Sequence, residues 1–250
     1  MSLNVLLIGG SGFVSGSLSN LAIRAGHNVW AVTRGNSPLP EGVRGIKVDR
    51  HDASFERIID GVGVCWDFVV DCIGYDAPDA SQDIDVFKPR AKHLVFISTD
   101  FVFDPVRRQF PQTQDCAHFL NEGYGGLKRK CEMEFINRDT GDMAWTIVRP
   151  CHIYGPGSLL GCLPEHSRDP DLIKKLRRGQ KLKLVGGGYF LTQPIFVRDL
   201  AETILSCEGN RKTHRQIYPV AGPDIIECRE YYRLIAAILD VKFRTPDIAL

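Results

Sequence analysis

Short apolar runs alternate with stretches of helical periodicity along the first 150 residues. Asn4–Ile8 is a continuous apolar run that ends in glycines, and apolar residues recur at helical spacing from 13 to 25. Asn28–Thr33 is a second run, so a β-α-β unit is complete within about 30 residues. Further runs lie at 45–48, 67–70, 93–97 and 145–148. Because these predicted strands are continuously apolar, both faces of their sheet should be covered, which is typical of a doubly wound parallel sheet.

The pattern changes after Pro150. Gly- and Pro-rich connections surround one basic helix, predicted at 171–178. A helix at 199–207, a short strand at 216–220 and an amphipathic terminal helix at 227–239 follow. We predict an α/β protein with a first domain over 1–151, on which a helix at 198–207 packs back, and a smaller second lobe over 152–250.

Composition and charge narrow the class of protein. Of the 250 residues, 44% are hydrophobic and 24% charged, which excludes a disordered or fibrous chain. The formal net charge of +1 provides no overall field toward nucleic acid or a membrane. The 8 cysteines show neither a CxxC pair nor zinc-type spacing, so we predict free thiols in a reducing cytoplasm and no metal site.

The uncharged N-terminal segment is not expected to be a signal peptide or a membrane span. Its first charged residue is Arg24, so no basic residue precedes the apolar stretch, and four glycines interrupt that stretch. Cofactor binding is the alternative explanation for its composition.

The string IGGSGFVSG sets Gly9 and Gly12 three residues apart between a strand and a helix. Such a turn lets a pyrophosphate approach bare backbone amides at a helix N-terminus. The third glycine position of the pattern holds Ser15, which is small enough for helix and strand to stay close. The alternative is a tight turn without a ligand. The predicted cofactor contacts in this turn are Gly9, Gly10, Ser11, Gly12, Phe13 and Val14.

The end of the second predicted strand indicates which cofactor binds. NAD sites place an acidic residue there to accept from the ribose 2'-hydroxyl, but no Asp or Glu precedes Glu41. Thr33, Arg34 and Asn36 follow the strand instead, and an arginine can pair with a 2'-phosphate. We therefore predict NADP in preference to NAD, the alternative being that Arg34 only solvates a loop end.

A Tyr/Lys pair follows the fifth predicted strand. That strand runs into Ser98, Thr99 and Asp100, and Tyr124 and Lys128 share one helix face further along the chain. A neighbouring ammonium stabilises a phenolate and lowers its pKa toward neutrality. A hydroxyl from the strand end would complete the set by hydrogen-bonding the oxygen of a substrate.

The ordered strings IGGSGFVSG, VDRHD, ISTDFVF, YGGLK, VRPCHIYGPG and TQPIFVRDLAETI resemble the extended short-chain dehydrogenase/reductase superfamily, the NAD(P)-dependent epimerase/dehydratase group. The resemblance covers nearly the whole chain. It implies a Rossmann domain with a small C-terminal substrate lobe. It also implies an oxidoreductase or epimerase that acts on a sugar or related hydroxyl/carbonyl compound by hydride transfer.

The same resemblance implies roles for individual residues. Tyr124 would be the general acid/base, Thr99 would complete the triad, and Lys128 would bind the nicotinamide ribose and tune Tyr124. The STDFVF string is similar to that of dTDP-4-dehydrorhamnose reductases, which makes Asp100 a secondary catalytic candidate. Asp49 and Arg50 match positions that contact adenine. The positions that match backbone flanking the cofactor are Cys72, Ile73, Gly74, Pro150, Cys151 and Ile153.

Some features depart from the family pattern and leave alternatives open. Thr192 stands where nucleotide-sugar epimerases carry a diphosphate-clamping arginine, so a nucleotide diphosphate substrate is not expected. The short second lobe leaves the site open or completed by a second subunit in a homodimer. The basic helix at 171–178 is either a solvated face or a surface for an anion, a substrate phosphate or RNA. Two other functions remain: a deoxysugar reductase, and a cofactor-binding regulatory or RNA-binding protein without dehydrogenase turnover, like the chloroplast RNA-binding members that the chain also resembles.

Overall fold

A computed structural model describes residues 2–109, 112–113, 118–162 and 168–246. The chain divides into two compact units, one comprising Met1–Pro150 with Val197–Val220 and the other Cys151–Phe196 with Ala221–Leu250. None of the helices in the described ranges is long and apolar enough to cross a membrane.

The described elements follow the predicted alternation closely. The strands are β1 (Asn4–Ile8), β2 (Asn28–Thr33), β3 (Arg44–Lys47), β4 (Trp66–Asp71), β5 (Ala91–Ile97), β6 (Ala144–Pro150), β7 (Ile153–Tyr154), β8 (Leu191–Thr192), β9 (Ile195–Phe196), β10 (Gln216–Val220) and β11 (Ile226–Glu227). The α-helices are α1 (Phe13–Arg24), α2 (Phe55–Gly61), α3 (Ala77–Phe87), α4 (Gly123–Asn137), α5 (Leu172–Arg177), α6 (Val197–Leu205) and α7 (Cys228–Ile238).

The first unit is built on a seven-stranded sheet in the order β10, β6, β5, β4, β1, β2, β3. Every neighbouring pair in it is parallel. The strand order reverses between β1 and β4, and this reversal creates the crevice at the carboxyl ends of the strands where α/β proteins bind ligands. The predicted doubly wound Rossmann sheet is thus confirmed.

Helices cover this sheet because its strands are apolar on both sides. The side chains of Val5, Leu6, Leu7 and Ile8 in β1 are all fully buried. One core cluster joins apolar residues of the strands to α2, α3 and α4, while α1 packs against α6. α6 contributes Leu200, with neighbours on the same face, to the interior. The predicted helix at 199–207 therefore exists and begins two residues earlier.

The second unit has its own small core. β7 pairs with β9 in parallel and β8 pairs with β11 antiparallel. α5 and α7 bury Leu172, Leu176 and Tyr232 in one apolar cluster. The Tyr232 hydroxyl accepts from Cys162 N at 2.8 Å and donates to Cys162 O at 2.9 Å, which ties α7 to the chain before α5.

Candidate cofactor and catalytic site

The turn between β1 and α1 admits only glycine at its first two positions. Gly9 has φ +88°, and a Cβ added to it would stand 2.3 Å from the Ile73 side chain. A Cβ on Gly10 would stand 2.1 Å from that of Ala31. The amides of Gly9 and Gly10 both donate to Val32 O at 3.1 Å, which holds the turn against β2. The backbone is therefore bare at this edge of the sheet for a steric reason.

Ser15 takes the place of the third glycine and braces the turn. Its hydroxyl accepts from Gly12 N at 2.9 Å and donates to Gly9 O at 2.8 Å. Gly12 caps α1 and no acidic residue lies in the first helical turn, so the positive end of the helix dipole is uncompensated. Ser11 and Gly12 are exposed, and Phe13 and Val14 are half-buried at the start of the helix. The residues present fit the pyrophosphate of a dinucleotide.

The predicted 2'-phosphate site contains two basic side chains. Arg34 is exposed and makes no hydrogen bond or ion pair with any residue in the described part of the chain. Asn36 is exposed beside it, and Thr33 Oγ1 accepts from Gly35 N at 3.2 Å. Lys47 pairs with Thr33 across β2 and β3, and its side chain packs against Gly35. Sequence analysis did not identify Lys47, because its proximity depends on the register of β3.

The side chain of Arg50 is not available to adenine. It is only 3% exposed, and it donates to Asp71 Oδ2 at 3.0 Å, Asp83 Oδ1 at 2.9 Å and Asp79 O at 2.8 Å. The guanidinium is therefore engaged in buried ion pairs, so the predicted adenine contact of this position would have to come from its backbone. Asp49 is half-buried after β3, with Oδ1 accepting from His51 N at 3.0 Å.

The turn after β4 lies against the glycine turn. Cys72 N donates to Ile8 O at 3.0 Å, and Ile73 contacts Gly9 as described above. Asp71 Oδ1 accepts from Ile73 N at 2.8 Å, which fixes the direction of the turn. The structure thus brings Cys72, Ile73 and Gly74 to the same edge of the sheet as the glycine turn.

Helix α4 packs closely on the chain that follows β5. A Cβ on Gly125 would stand 1.9 Å from Phe101 O, so only glycine allows this approach. Tyr124, 49% exposed, meets the Phe101 ring edge-on at 6.5 Å between centroids. Thr99 is buried, and its Oγ1 accepts from Phe101 N at 3.2 Å. Thr99 and Tyr124, which we predict to act together, therefore lie on two segments in direct contact.

Lys128 lies buried beside the carboxyl ends of β4 and β5. It is 3% exposed, and its Nζ donates to Gly74 O and to Ile97 O, both at 2.6 Å. An ammonium has three donors, so one N–H remains for a ligand hydroxyl. Burial lowers the pKa of Lys128, while the nearby Asp71 carboxylate opposes this effect.

The remaining predicted site residues are Asp100, Pro150, Cys151 and Ile153. Asp100 forms an ion pair with Arg108 at 2.6 Å, so an arginine already compensates the charge of its carboxylate. Pro150 ends β6 and is buried, and Cys151 and Ile153 are half-buried in the second unit. No group of three or more potential metal ligands occurs among the described residues.

The basic helix is partly paired with its own acidic residues. Lys174 pairs with Asp171 at 3.0 Å and Lys175 with Asp169 at 2.7 Å. These ion pairs favour the interpretation of this helix as a solvated face over that of an anion-binding surface. Thr192, at the position of the family's arginine clamp, lies in β8 and is half-buried.

The comparisons with known proteins agree with this fold. The structure is similar to an epimerase of the methanogen Methanothermobacter thermautotrophicus, with a TM-score of 0.82 and 17% identity over 98% of this chain and 79% of the other. It is also similar to a Thermus thermophilus UDP-glucose 4-epimerase in complex with NAD, with a TM-score of 0.76 and 17% identity over 97% of this chain and 85% of that one.

In sequence, the chain is similar to the chloroplast stem-loop binding protein of 41 kDa b of Arabidopsis thaliana. The two are 25% identical over 234 residues, which is 87% of this chain and 58% of the relative. The chain thus spans less than two thirds of that relative's length. Residues 5–221 match the family described as the NAD dependent epimerase/dehydratase family, and the chain therefore belongs to that family.

Proposed function

We propose that this protein is an NAD(P)-dependent oxidoreductase or epimerase that acts on a hydroxyl or carbonyl group of a sugar or related compound. The observation that carries the proposal is the placement of Lys128, a buried ammonium on the helix of Tyr124, between the ends of β4 and β5. Bare glycines and a helix N-terminus at the same sheet edge support dinucleotide binding.

Each residue has a definite task in this proposal. The turn and the first residues of α1 bind the pyrophosphate through backbone amides other than those that donate to Val32 O and Ser15 Oγ, and Lys128 orients the nicotinamide ribose through its third N–H. The bound nicotinamide would supply the hydride acceptor or donor. Tyr124 takes the proton from, or returns it to, the substrate oxygen, and its phenolate is stabilised by the Lys128 ammonium. The Thr99 hydroxyl hydrogen-bonds the same oxygen.

Substitution of Tyr124 tests the acid/base role. Tyr124→Phe keeps the ring packing on Phe101 and removes only the hydroxyl, so cofactor affinity should be nearly unchanged. Turnover should fall by roughly a hundredfold to ten-thousandfold. The rates of NADPH and NADH oxidation and of NADP+ and NAD+ reduction are measured with a panel of carbonyl compounds, sugars and sugar nucleotides. Tyr75→Phe is the matched control, because Tyr75 is similarly exposed, at 54%. Full activity in Tyr124→Phe would contradict the proposal.

The preference for NADPH over NADH rests on Arg34 and Lys47. Both cations can pair with a 2'-phosphate, and no acidic residue stands before Glu41 to accept from a 2'-hydroxyl. Fluorescence titration should show tighter binding of NADPH, and Arg34→Ala should weaken NADPH binding without affecting NADH. Arg24→Ala, an exposed arginine at the end of α1, is the control. Equal affinities for the two nucleotides in the unmodified protein would contradict the preference.

Binding of RNA is a second candidate function. The name of the Arabidopsis relative describes a stem-loop binding protein, and Arg177 and Arg178 are exposed at the end of α5. Filter binding with a stem-loop RNA tests this function, with the double variant Arg177→Gln/Arg178→Gln expected to weaken binding. Tyr124→Phe should leave RNA binding unchanged, so the two functions are separable.

A further inference from the structure

Five charged side chains are buried together beside the turn after β4. Arg50 lies 3.0 Å from Asp71 Oδ2, 3.2 Å from Asp79 Oδ1 and 2.9 Å from Asp83 Oδ1. These four residues and Lys128 are each no more than 3% exposed. Burying so many charges is costly unless opposite charges and hydrogen bonds compensate. The proposed mechanism uses Lys128 alone, which leaves the other four unexplained.

Gly74 links this cluster to Lys128. A Cβ on Gly74 would stand 2.2 Å from Asp71 Oδ2, so the carboxylate packs directly on the Gly74 backbone. The carbonyl of the same residue accepts from Lys128 Nζ at 2.6 Å. The Asp71 carboxylate and the Lys128 ammonium therefore both contact Gly74.

The contacts of Asp83 indicate where a proton resides. Its Oδ1 accepts from Arg50, whereas its Oδ2 is buried with no donor directed at it among the described residues. In the other two aspartates each carboxyl oxygen faces an N–H or a cation: Asp71 accepts from Arg50 and from Ile73 N, and Asp79 accepts from Tyr75 N and lies 3.2 Å from Arg50 Nε. A buried carboxylate oxygen without a donor is costly, whereas a neutral carboxyl group carries its proton at such an oxygen. The geometry therefore assigns the proton to Asp83.

Charge balance leads to the same assignment. With all three carboxyl groups ionised, the cluster would hold three negative charges against two positive ones, and a proton on Asp83 makes it neutral. Burial opposes ionisation of Asp71, but the Arg50 charge and the hydrogen bond from Ile73 N hold its pKa below the usual range. Burial and the adjacent Asp71 charge raise the pKa of Asp83 well above its usual range.

We propose that Asp83 retains its proton, and that Asp71 is the buried counter-ion that keeps Lys128 an ammonium. Arg50 and Asp79 are positioning residues, which hold Asp71 against the Gly74 turn. The importance of this arrangement for catalysis rests on the function proposed above, because the ammonium is what stabilises the Tyr124 phenolate. The arrangement itself is independent of any cofactor.

In the described part of the chain, few other titratable groups face the cluster. The ring of Tyr75 lies 5.3 Å from Lys128 Nζ. His51 Nδ1 lies 3.7 Å from Asp79 Oδ1 at the exposed rim. The thiols of Cys72 and Cys131 also act on Lys128 or Asp71; burial raises the pKa of both, that of Cys131 to about 12, so both are neutral near pH 7. The charge of Lys128 near neutral pH thus depends mainly on Asp71.

Two isosteric substitutions should have opposite effects. Asp83→Asn mimics the protonated acid and should leave the pKa of Lys128 unchanged, whereas Asp71→Asn removes the counter-ion and should lower it by about 1 unit or more. The pKa is followed by NMR of the protein labelled with 13Cε-lysine, without cofactor. Equal effects of the two variants, or no shift in Asp71→Asn, would overturn the proposal. Folding of Asp83→Asn but not of Asp71→Asn supports it.

A measurement on the unmodified protein decides the case if neither variant folds. The 13C carboxyl shifts of aspartate should show Asp83 as a neutral acid and Asp71 as a carboxylate at pH 7. Two ionised groups at that pH would refute the proposal. Because neither experiment needs turnover, loss of the proposed function would leave these outcomes unaffected. If the function holds, Asp71→Asn should also shift the acidic limb of the kcat profile to higher pH.

Discussion

At the scale of single residues, His93 shows how hydrogen bonding fixes a protonation state. Thr146 donates its hydroxyl to Thr213 O at 2.6 Å, so it must accept from His93 Nε2 at 2.8 Å. His93 Nδ1 is buried and faces no partner among the described residues. A proton there would place a buried charge without an acceptor. Burial and the adjacent His214 accordingly lower the pKa of His93 to about 4.

The stability of the protein should therefore depend on pH through His93. In the unfolded state the His93 imidazole takes up a proton near its ordinary pKa of 6.5, whereas in the folded state its pKa is about 4. The free energy of unfolding should fall as the pH decreases through this window, by on the order of 3 kcal/mol for this group. His93→Gln keeps a donor for Thr146 and should flatten the dependence in urea titrations at several pH values. His27→Gln is the control and should retain the pH dependence of stability. An unchanged pH dependence in His93→Gln would contradict the assignment.

At the scale of elements, Glu132 joins three of them in the interior. It lies on α4, pairs with Arg149 of β6 at 2.7 Å, and accepts from the Ser98 hydroxyl at the end of β5 at 2.6 Å. Arg129, one turn earlier on α4, also pairs with it at 2.7 Å. The carboxylate thus holds α4, and with it Tyr124 and Lys128, against the sheet.

Removal of this carboxylate should be costly. Glu132→Gln leaves the fully buried Arg149 guanidinium without its counter-ion, so the free energy of unfolding should fall by about 3–5 kcal/mol. Chemical denaturation monitored by circular dichroism measures the loss. Glu202→Gln is the control, since its exposed pair with Arg198 is worth about 1 kcal/mol at most. Similar losses in the two variants would argue against the role of Glu132.

At the scale of the whole molecule, the first unit is formed by two separate parts of the chain. α6 and β10 return to it between the two parts of the second unit, and β10 lies beside β6 with Ile217 opposite Ile147. A chain ending at residue 151 would lack the helix that packs on α1 and the last strand of the sheet. The segment between the two parts starts and ends at neighbouring points, since Ile195 N donates to His152 O at 2.8 Å.

This arrangement predicts the behaviour of shortened chains. A chain of residues 2–151 joined to 196–222 through a Gly/Ser linker of about six residues should unfold cooperatively, because it contains the complete sheet. Residues 2–151 alone should not, because β6 and α1 lose their partners. Urea unfolding followed by circular dichroism compares the two. Cooperative unfolding of the shorter chain with equal stability would show that α6 and β10 are dispensable.

The sequence alone was sufficient to predict the local elements of the fold. Buried parallel strands must be continuously apolar, so the runs that became β1, β2, β5 and β6 were predicted to within about three residues at either end. The left-handed backbone of Gly9 in the turn before α1 and the helical spacing of Tyr124 and Lys128 are equally local. Such features depend on neighbouring residues only, and the amino-acid order specifies them directly.

Tertiary structure decided the partners of residues distant in the chain. Sequence analysis placed residues 216–220 in the second lobe, but the structure pairs them with β6 in the first unit. It also assigned Arg50 to adenine, whereas three aspartates 21 to 33 residues away bind its side chain. These outcomes depend on strand order and helix packing. The energy of a buried charge is set by whichever groups the fold brings within a few ångströms of it, and no local pattern encodes that set.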